Sequence, residues 1–414
     1  QKMKRIPELI VALVAIAIAL ASASAQATDT RLYWGDTHLH TSYSFDVYLF
    51  GTFAATPDTA YRFARGLPVV SPATQTRWQL SRPLDFLVVA DHAEVLGAMP
   101  KLFAGDPTFA ATPTGKALLQ VAGSRSAKEL QQVYDLLASV GSGVAPPGAP
   151  SPQQAYADLH GGEKRRSTWN ELIDAAERYN QPGVFTALIG WEWSSIPGGA
   201  NLHREVITDS DAATAQKYTP FGLDDSPHPE DLWAWLEKTG QATGARFTAI
   251  PHNSNISKGY MFSDTTLRGE PFTKAYVALR SKWEHIAEIT QTKGDSETHS
   301  SLSPGDDFAD FEIYPYYIQR KWTPYQPQRG DFVREALKQG LELERKLGQN
   351  PYVLGVIGST DSHTALSSTE EDNFHGKLAT DSIPANKNSG WNDDGPGATG
   401  WAMSGASSIA SSSP

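Results

Sequence analysis

Apolar residues along this chain gather in short runs separated by longer stretches with helical spacing. Residues 84–90, 184–191, 247–250, 285–289 and 352–358 are near-continuous runs of apolar and β-branched side chains. Such runs suit strands buried on both faces, as in parallel sheets. Residues 32–35 predict a first strand ahead of them. Thr168-Trp169-Asn170-Glu171 reads as a capping box that opens a helix to about Tyr179, with Trp169, Leu172, Ile173 and Ala176 on one face and Pro182-Gly183 after its end. Residues 331–347 predict another helix, with Val333, Leu337, Leu341, Glu344 and Leu347 at helical spacing. The repeated strand-helix order predicts an α/β barrel or an open α/β sheet. Two stretches break the rhythm. Residues 104–165 hold no clear strand and carry Pro146-Pro147-Gly148-Ala149-Pro150, which predicts a helical insertion or lid. From Ser367 onward the chain is rich in Ser, Gly, Ala and Asn, the composition of a poorly ordered tail.

The predicted strands end on polar, metal-competent residues, where α/β barrels gather their catalytic groups. The first runs into Asp36-Thr37-His38-Leu39-His40-Thr41, and residues two apart on an extended segment point the same way, so His38 and His40 can serve one site. The others stop at Asp91-His92, at Glu192, at His252-Asn253 and at Asp361-Ser362-His363. A single polar residue after a strand is an ordinary surface feature. Five such endings in succession predict a shared metal site.

Composition narrows the chemistry. The chain has 414 residues and no cysteine, which excludes thiolate nucleophiles, Cys-ligated zinc and disulfide staples. Any metal must therefore sit on His, Asp and Glu. The imidazole and carboxylate set suits zinc, manganese or iron, and it exceeds what one tetrahedral ion uses, so two or three divalent metals are expected. Lys2, Lys4 and Arg5 precede an apolar run over residues 9–20, and Ala23-Ser24-Ala25 offers a small-x-small cleavage site. Residues 1–25 therefore read as a cleaved signal peptide rather than a stable membrane anchor, which predicts a periplasmic or secreted protein. Removing them takes three basic groups and Glu8 from a formal charge of −11, leaving about −13. That sign disfavours nucleic acid and anionic membranes as partners. A small phosphorylated substrate stays compatible, because bound cations invert the local field.

Read in order, His38-x-His40, Asp91-His92, Glu192, His252 and Asp361-x-His363 resemble the four motifs of the polymerase and histidinol phosphatase (PHP) superfamily. The phrases Tyr33-Trp34-Gly35-Asp36-Thr37-His38-Leu39-His40-Thr41 and Gly358-Ser359-Thr360-Asp361-Ser362-His363 are similar to an exported PHP-like branch catalogued as a domain of unknown function. The resemblance covers about residues 33–363. It implies a distorted seven-stranded (β/α) barrel over residues 26–366 with the insertion at about 104–165. It also implies two or three metals, and hydrolysis of a phosphoester by a metal-bridging hydroxide. By position, His38, His40, Glu192 and Asp361 would form the first metal site, with Glu192 bridging. His92 and His363 would hold a second, and His252 a third with His203 as companion. Asp46 takes the place of the further ligand that relatives carry after the H-x-H pair. Asp91 would orient a ligand rather than bind metal, and Asp36 would do likewise or cap its loop. Arg204 and Lys293 are the cations nominated for substrate phosphate. Glu297 and His299 stay unassigned, whereas His160, His228, His285 and His375 are expected to be structural or exposed. The relatives continue past their Asp-x-His motif with further strands, so residues 367–414 are read as a tail cut short. Two other readings stand: an amidohydrolase cleaving C–N or C–O bonds, and a periplasmic metal-binding protein without turnover.

Overall fold

The structure, a computed structural model, describes residues 32–71, 74–141, 147–314, 317, 324–368, 370–382 and 409–411. The leader at 1–25 and most of the tail lie outside the described residues. Contacts divide the chain into a large unit, Trp34–Ile409, and a small one of Gln1–Tyr33 with Ala410–Pro414. The large unit carries everything that follows.

Strands β1 (Leu32–Leu39), β2 (Phe86–Val89), β3 (Thr186–Ser195), β4 (Leu202–Thr208) and β5 (Phe247–His252) lie side by side in chain order in one curled sheet. The first three are parallel, with Gly35 opposite Phe86 and Val89 opposite Ile189. Gly35 is required there, because a Cβ would sit 2.4 Å from the Phe86 ring. The next two strands run antiparallel, pairing Ile189 with Thr208 and His203 with His252. A tight turn over Pro197–Gly199, with Gly198 at φ 55°, reverses the chain between β3 and β4. Strands β6 (Ile286–Gln291), β7 (Gly294–Asp295) and β8 (Gly355–Gly358) form a separate sheet in the order β8-β6-β7. Beyond β8 the chain bonds to the end of β1: Asp361 N donates to His38 O at 2.8 Å and His40 N donates to Ser362 O at 2.9 Å.

This is a mixed α/β fold with a curled half-barrel sheet; the main sheet holds five of these strands, and the expected seven-stranded (β/α) barrel is not seen among the described residues. Strand β4, a hairpin return antiparallel to β3, had not been anticipated as a strand. Helix boundaries differ too. Residues Glu163–Tyr179 form one helix, α1, that starts at Gly162 in a left-handed turn (φ 61°), so Thr168 lies inside it and its hydroxyl donates to Lys164 O. Helix α2 (Val333–Leu347) buries Val333, Ala336, Gly340 and Leu343, and leaves Leu337 and Leu341 exposed. Leu337 and Leu341 thus face away from the core, which Val333, Ala336 and Leu343 join and against which Leu347 packs.

Alternation along β3 separates core from site. Trp191 and Trp193 are fully buried among α1, helix Pro229–Thr243 and their loops, with indole N–H groups donating to Phe221 O and Ser226 O. Glu192 and Ser194, between and beyond them, point to the opposite face. Leu39 is likewise core while its neighbours His38 and His40 are not. The 104–165 region holds helices Pro113–Val121, Ala127–Gly141 and Pro152–Leu159, which close over a second apolar cluster including Met99, Phe103, Leu118 and Val133. The stretch after Ser367 is not uniform: Ser367, His375 and Lys377 are buried, with the His375 ring against Trp78 and Phe63.

Candidate metal centre

The inner face of the curled sheet gathers histidines and carboxylates from every parallel strand end. Cross-strand register explains much of it. Ser194 lies opposite His203, which lies opposite His252, and Glu192 lies opposite Glu205. One face of three neighbouring strands therefore carries Glu192, Ser194, His203, Glu205 and His252, while β1 adds His38 and His40.

Four donors converge at the centre. His38 Nε2 and His40 Nε2 are 3.0 Å apart. Glu192 Oε2 lies 3.4 Å from the first and 3.1 Å from the second, and Asp361 Oδ1 lies 3.4 and 3.3 Å from them. A cation about 2.1 Å from each donor separates neighbouring donors by about 3.0–3.4 Å, from octahedral to tetrahedral arrangements. The set fits a divalent transition metal. Asp361 reaches this position with a left-handed backbone (φ 48°), which Asp tolerates better than most residues.

The other carboxylate oxygen of Glu192, Oε1, lies 2.5 Å from His203 Nδ1 and 3.3 Å from His252 Nε2. Glu192 thus faces two donor groups, one with each oxygen. A third group lies past His40: Asp46 Oδ2 is 2.9 Å from His363 Nε2 and 3.4 Å from His92 Nε2. Within each of the combinations His38/His40/Asp361, His40/His92/His363, Glu192/His203/His252 and His38/Glu205/His252, the donor atoms lie within 4.8 Å of one another, all on buried residues. Burial holds His40 and His203 down to about 4, so these imidazoles are neutral at pH 7, the form that binds a cation. Burial also opposes ionisation of Glu192 and Asp46. The histidines around them outweigh it and hold both well below the usual carboxylate range.

An outer layer orients the imidazoles. Glu205 Oε1 lies 2.6 Å from Nδ1 of both His38 and His252, and Glu288 Oε2 lies 2.9 Å from His38 Nδ1. These contacts turn Nε2 of both rings inward, as a carboxylate behind a metal histidine does. Asp91 accepts from Thr41 N, Thr41 Oγ1 and Ser44 Oγ at 2.6–2.7 Å, and Ser44 Oγ lies 2.9 Å from His40 Nδ1. Asp91 therefore acts on His40 through Ser44. Asp36 accepts from Thr360 and Ser367 hydroxyls at 2.5 and 2.6 Å and pins the β1 end to the segment after β8.

The residues nominated for substrate phosphate separate. Arg204 is a correction: it is 1% exposed, donates to Glu284 Oε1 at 2.8 Å and lies over the Trp193 ring. It sits opposite Trp193 in register, so it shares the core face rather than the site face. Lys293 does reach the site, where its ammonium meets Asp361 Oδ2. Three site residues had not been anticipated. Glu205 and Glu288 lie inside strands, where a carboxylate reads as an interruption; a His-x-Glu pair at strand period was the signal for Glu205. Lys377 comes from the Gly/Ser-rich stretch, with Nζ 2.8 Å from Asp361 Oδ1, 2.7 Å from Asp361 O and 3.0 Å from His363 Nδ1. Burial lowers the pKa of Lys377 to about 8.

Fold and site together define a mixed α/β protein with a buried His/carboxylate donor set. The chain belongs to the family described as "Protein of unknown function (DUF3604)", whose model matches residues 27–412. A solved structure from Bacteroides vulgatus ATCC 8482, a two-domain protein described as containing a predicted PHP-like metal-dependent phosphoesterase, is similar at 12% identity and a TM-score of 0.28. The match covers 81% of this chain and 53% of that one, so the chain spans about half the length of that protein. No curated protein matches the chain. Among the described residues, no helix is long and apolar enough to cross a membrane.

Proposed function

We propose that the protein is an exported, metal-dependent hydrolase of PHP type that cleaves phosphoesters of small molecules. The observation that carries this reading is the convergence of His38, His40, Glu192 and Asp361 at donor separations of 3.0–3.4 Å. Those four would hold one divalent cation. His92, His363 and Asp46 would hold a second, and His203 and His252, with the other oxygen of Glu192, a third. Zinc, manganese and iron all suit these donors. Cations in such sites acidify water and polarise phosphoryl oxygens, the chemistry that in-line phosphoester hydrolysis needs. The chain's own groups prepare the site: Glu205, Glu288 and the Asp91–Ser44 pair orient imidazoles, and the insertion helices and the folded-back Lys377 segment flank it. Support for export is the leader pattern ending at Ala23-Ser24-Ala25.

The test is a metal-loaded preparation offered a generic aryl phosphate. Hydrolysis that chelation abolishes is expected, and His38→Ala or Asp361→Ala should lose both metal and activity. Stoichiometric metal with turnover of amides but of no phosphoester would move the assignment to an amidohydrolase.

A further inference from the structure

Two lysines meet at one carboxylate beside the donor cluster. Lys293 enters from the turn between β6 and β7, and Lys377 from the segment that folds back after β8. They are 8% and 6% exposed. Lys293 Nζ contacts Asp361 Oδ2, and Lys377 Nζ lies 2.8 Å from Asp361 Oδ1. Among the described residues neither ammonium meets a second carboxylate within ion-pair distance. Yet Asp361 Oδ1 is also 3.3–3.4 Å from the inner nitrogens of His38 and His40, so a bound cation would draw on the same charge. Two buried lysine side chains then share one carboxylate that is already engaged, and an ammonium buried there needs a further anionic partner.

Charge balance over the whole site agrees. Asp46, Glu192, Glu205, Glu288 and Asp361 supply five carboxylates against these two lysines. With Asp91 and Asp36 behind the donors making seven, two divalent cations would leave the site close to neutral and three would bring it to a net positive charge. Lysine is a strong donor to phosphoryl oxygens as a compact point charge. Arg204, the other cation nominated from sequence, is committed to Glu284 in the core.

We propose that Lys293 and Lys377 form an oxyanion-binding pair that receives the phosphoryl group of substrate and product next to the metal donors. This rests on the reading of the cluster as a metal centre, and it names the groups that select a dianionic phosphoryl head over a neutral or singly charged one.

The experiment measures equilibrium binding of inorganic phosphate, with acetate as a comparison, to metal-loaded wild-type protein, Lys293→Met, Lys377→Met and Lys377→Arg. Metal content and melting temperature are measured on the same samples. Both Met variants should keep wild-type metal stoichiometry and bind phosphate about tenfold more weakly or worse. Lys377→Arg should retain most of the affinity, and acetate should bind all four weakly. Phosphate affinity within about twofold of wild type in both Met variants, with metal retained, overturns the pair while leaving the metal centre intact. Loss of metal in the Met variants overturns it as well, because the lysines would then serve to hold Asp361 and His363 in place. If Lys377→Met fails to fold, Lys293→Met decides by the same two measurements. Wild-type protein that folds but takes up no metal overturns the underlying reading, a result separate from either of these.

Discussion

Glu205 offers the sharpest test of how the centre is built, because it touches no inner donor position. Its Oε1 lies 2.6 Å from Nδ1 of His38 and 2.6 Å from Nδ1 of His252, and the residue is fully buried. Glu205→Gln keeps the volume but replaces the charged acceptor facing both rings with a neutral amide oxygen, a weaker partner for an imidazole N–H. Loss of a carboxylate behind a metal histidine costs about 10–100-fold in metal affinity, or about 1.4–2.8 kcal/mol. The two rings should not suffer equally. His38 keeps Glu288 at 2.9 Å from its Nδ1, whereas the structure provides no second carboxylate at His252 Nδ1 among the described residues. The weaker site after substitution should therefore be the one served by His252, His203 and Glu192, with a loss near the upper end of the range. Competition with a chromophoric chelator, read as stepwise affinities, measures this. A folded Glu205→Gln protein that binds every equivalent of metal as tightly as wild type would refute the reasoning.

Other expectations follow from the same structure. Arg204→Met should leave metal content unchanged but lower stability by about 3 kcal/mol in denaturant unfolding, since Glu284 is buried and, among the described residues, keeps only Arg280 as a cationic partner. A loss of phosphate binding without a loss of stability would count against its placement in the core. Metal-free protein should lose stability as pH falls from 6.5 towards 4. His40 and His203 titrate near 4 in the fold against 6.5 when unfolded, so the stabilisation present above 6.5 is lost on acidification. Unfolding of chelated protein at pH 6.5, 5 and 4 checks this, and a flat profile contradicts it. Ser44→Ala should keep the fold while loosening the Asp91–His40 link, weakening metal binding about tenfold in the same chelator assay.

The strand ends were legible in the sequence because their chemistry is local. His38-x-His40 and Asp361-x-His363 sit where apolar runs stop, and a period of two places His38 and His40 on one face. Strand β4 was not legible, since it carries His203 and Glu205 on the site face and Arg204 on the core face, so hydropathy shows no run. Arg204 was misplaced for the same reason: its register opposite Trp193 emerges only when the hairpin closes. Lys377 was hidden by composition, because its neighbours signal a tail and its contacts with Asp361 and His363 depend on the chain folding back. In α2 the helical spacing suggested a buried face of Val333, Leu337, Leu341 and Leu347; Val333 and Leu347 do meet the core, but Ala336, Gly340 and Leu343 take the place of Leu337 and Leu341.

The central claim is that this cluster holds metal. Elemental analysis of purified, folded wild-type protein after equilibration with zinc, manganese and ferrous iron, followed by desalting, tests it most directly. The account predicts at least two equivalents of transition metal per chain, falling in His38→Ala and Asp361→Ala. Folded protein that retains no stoichiometric metal under any of these conditions would contradict it.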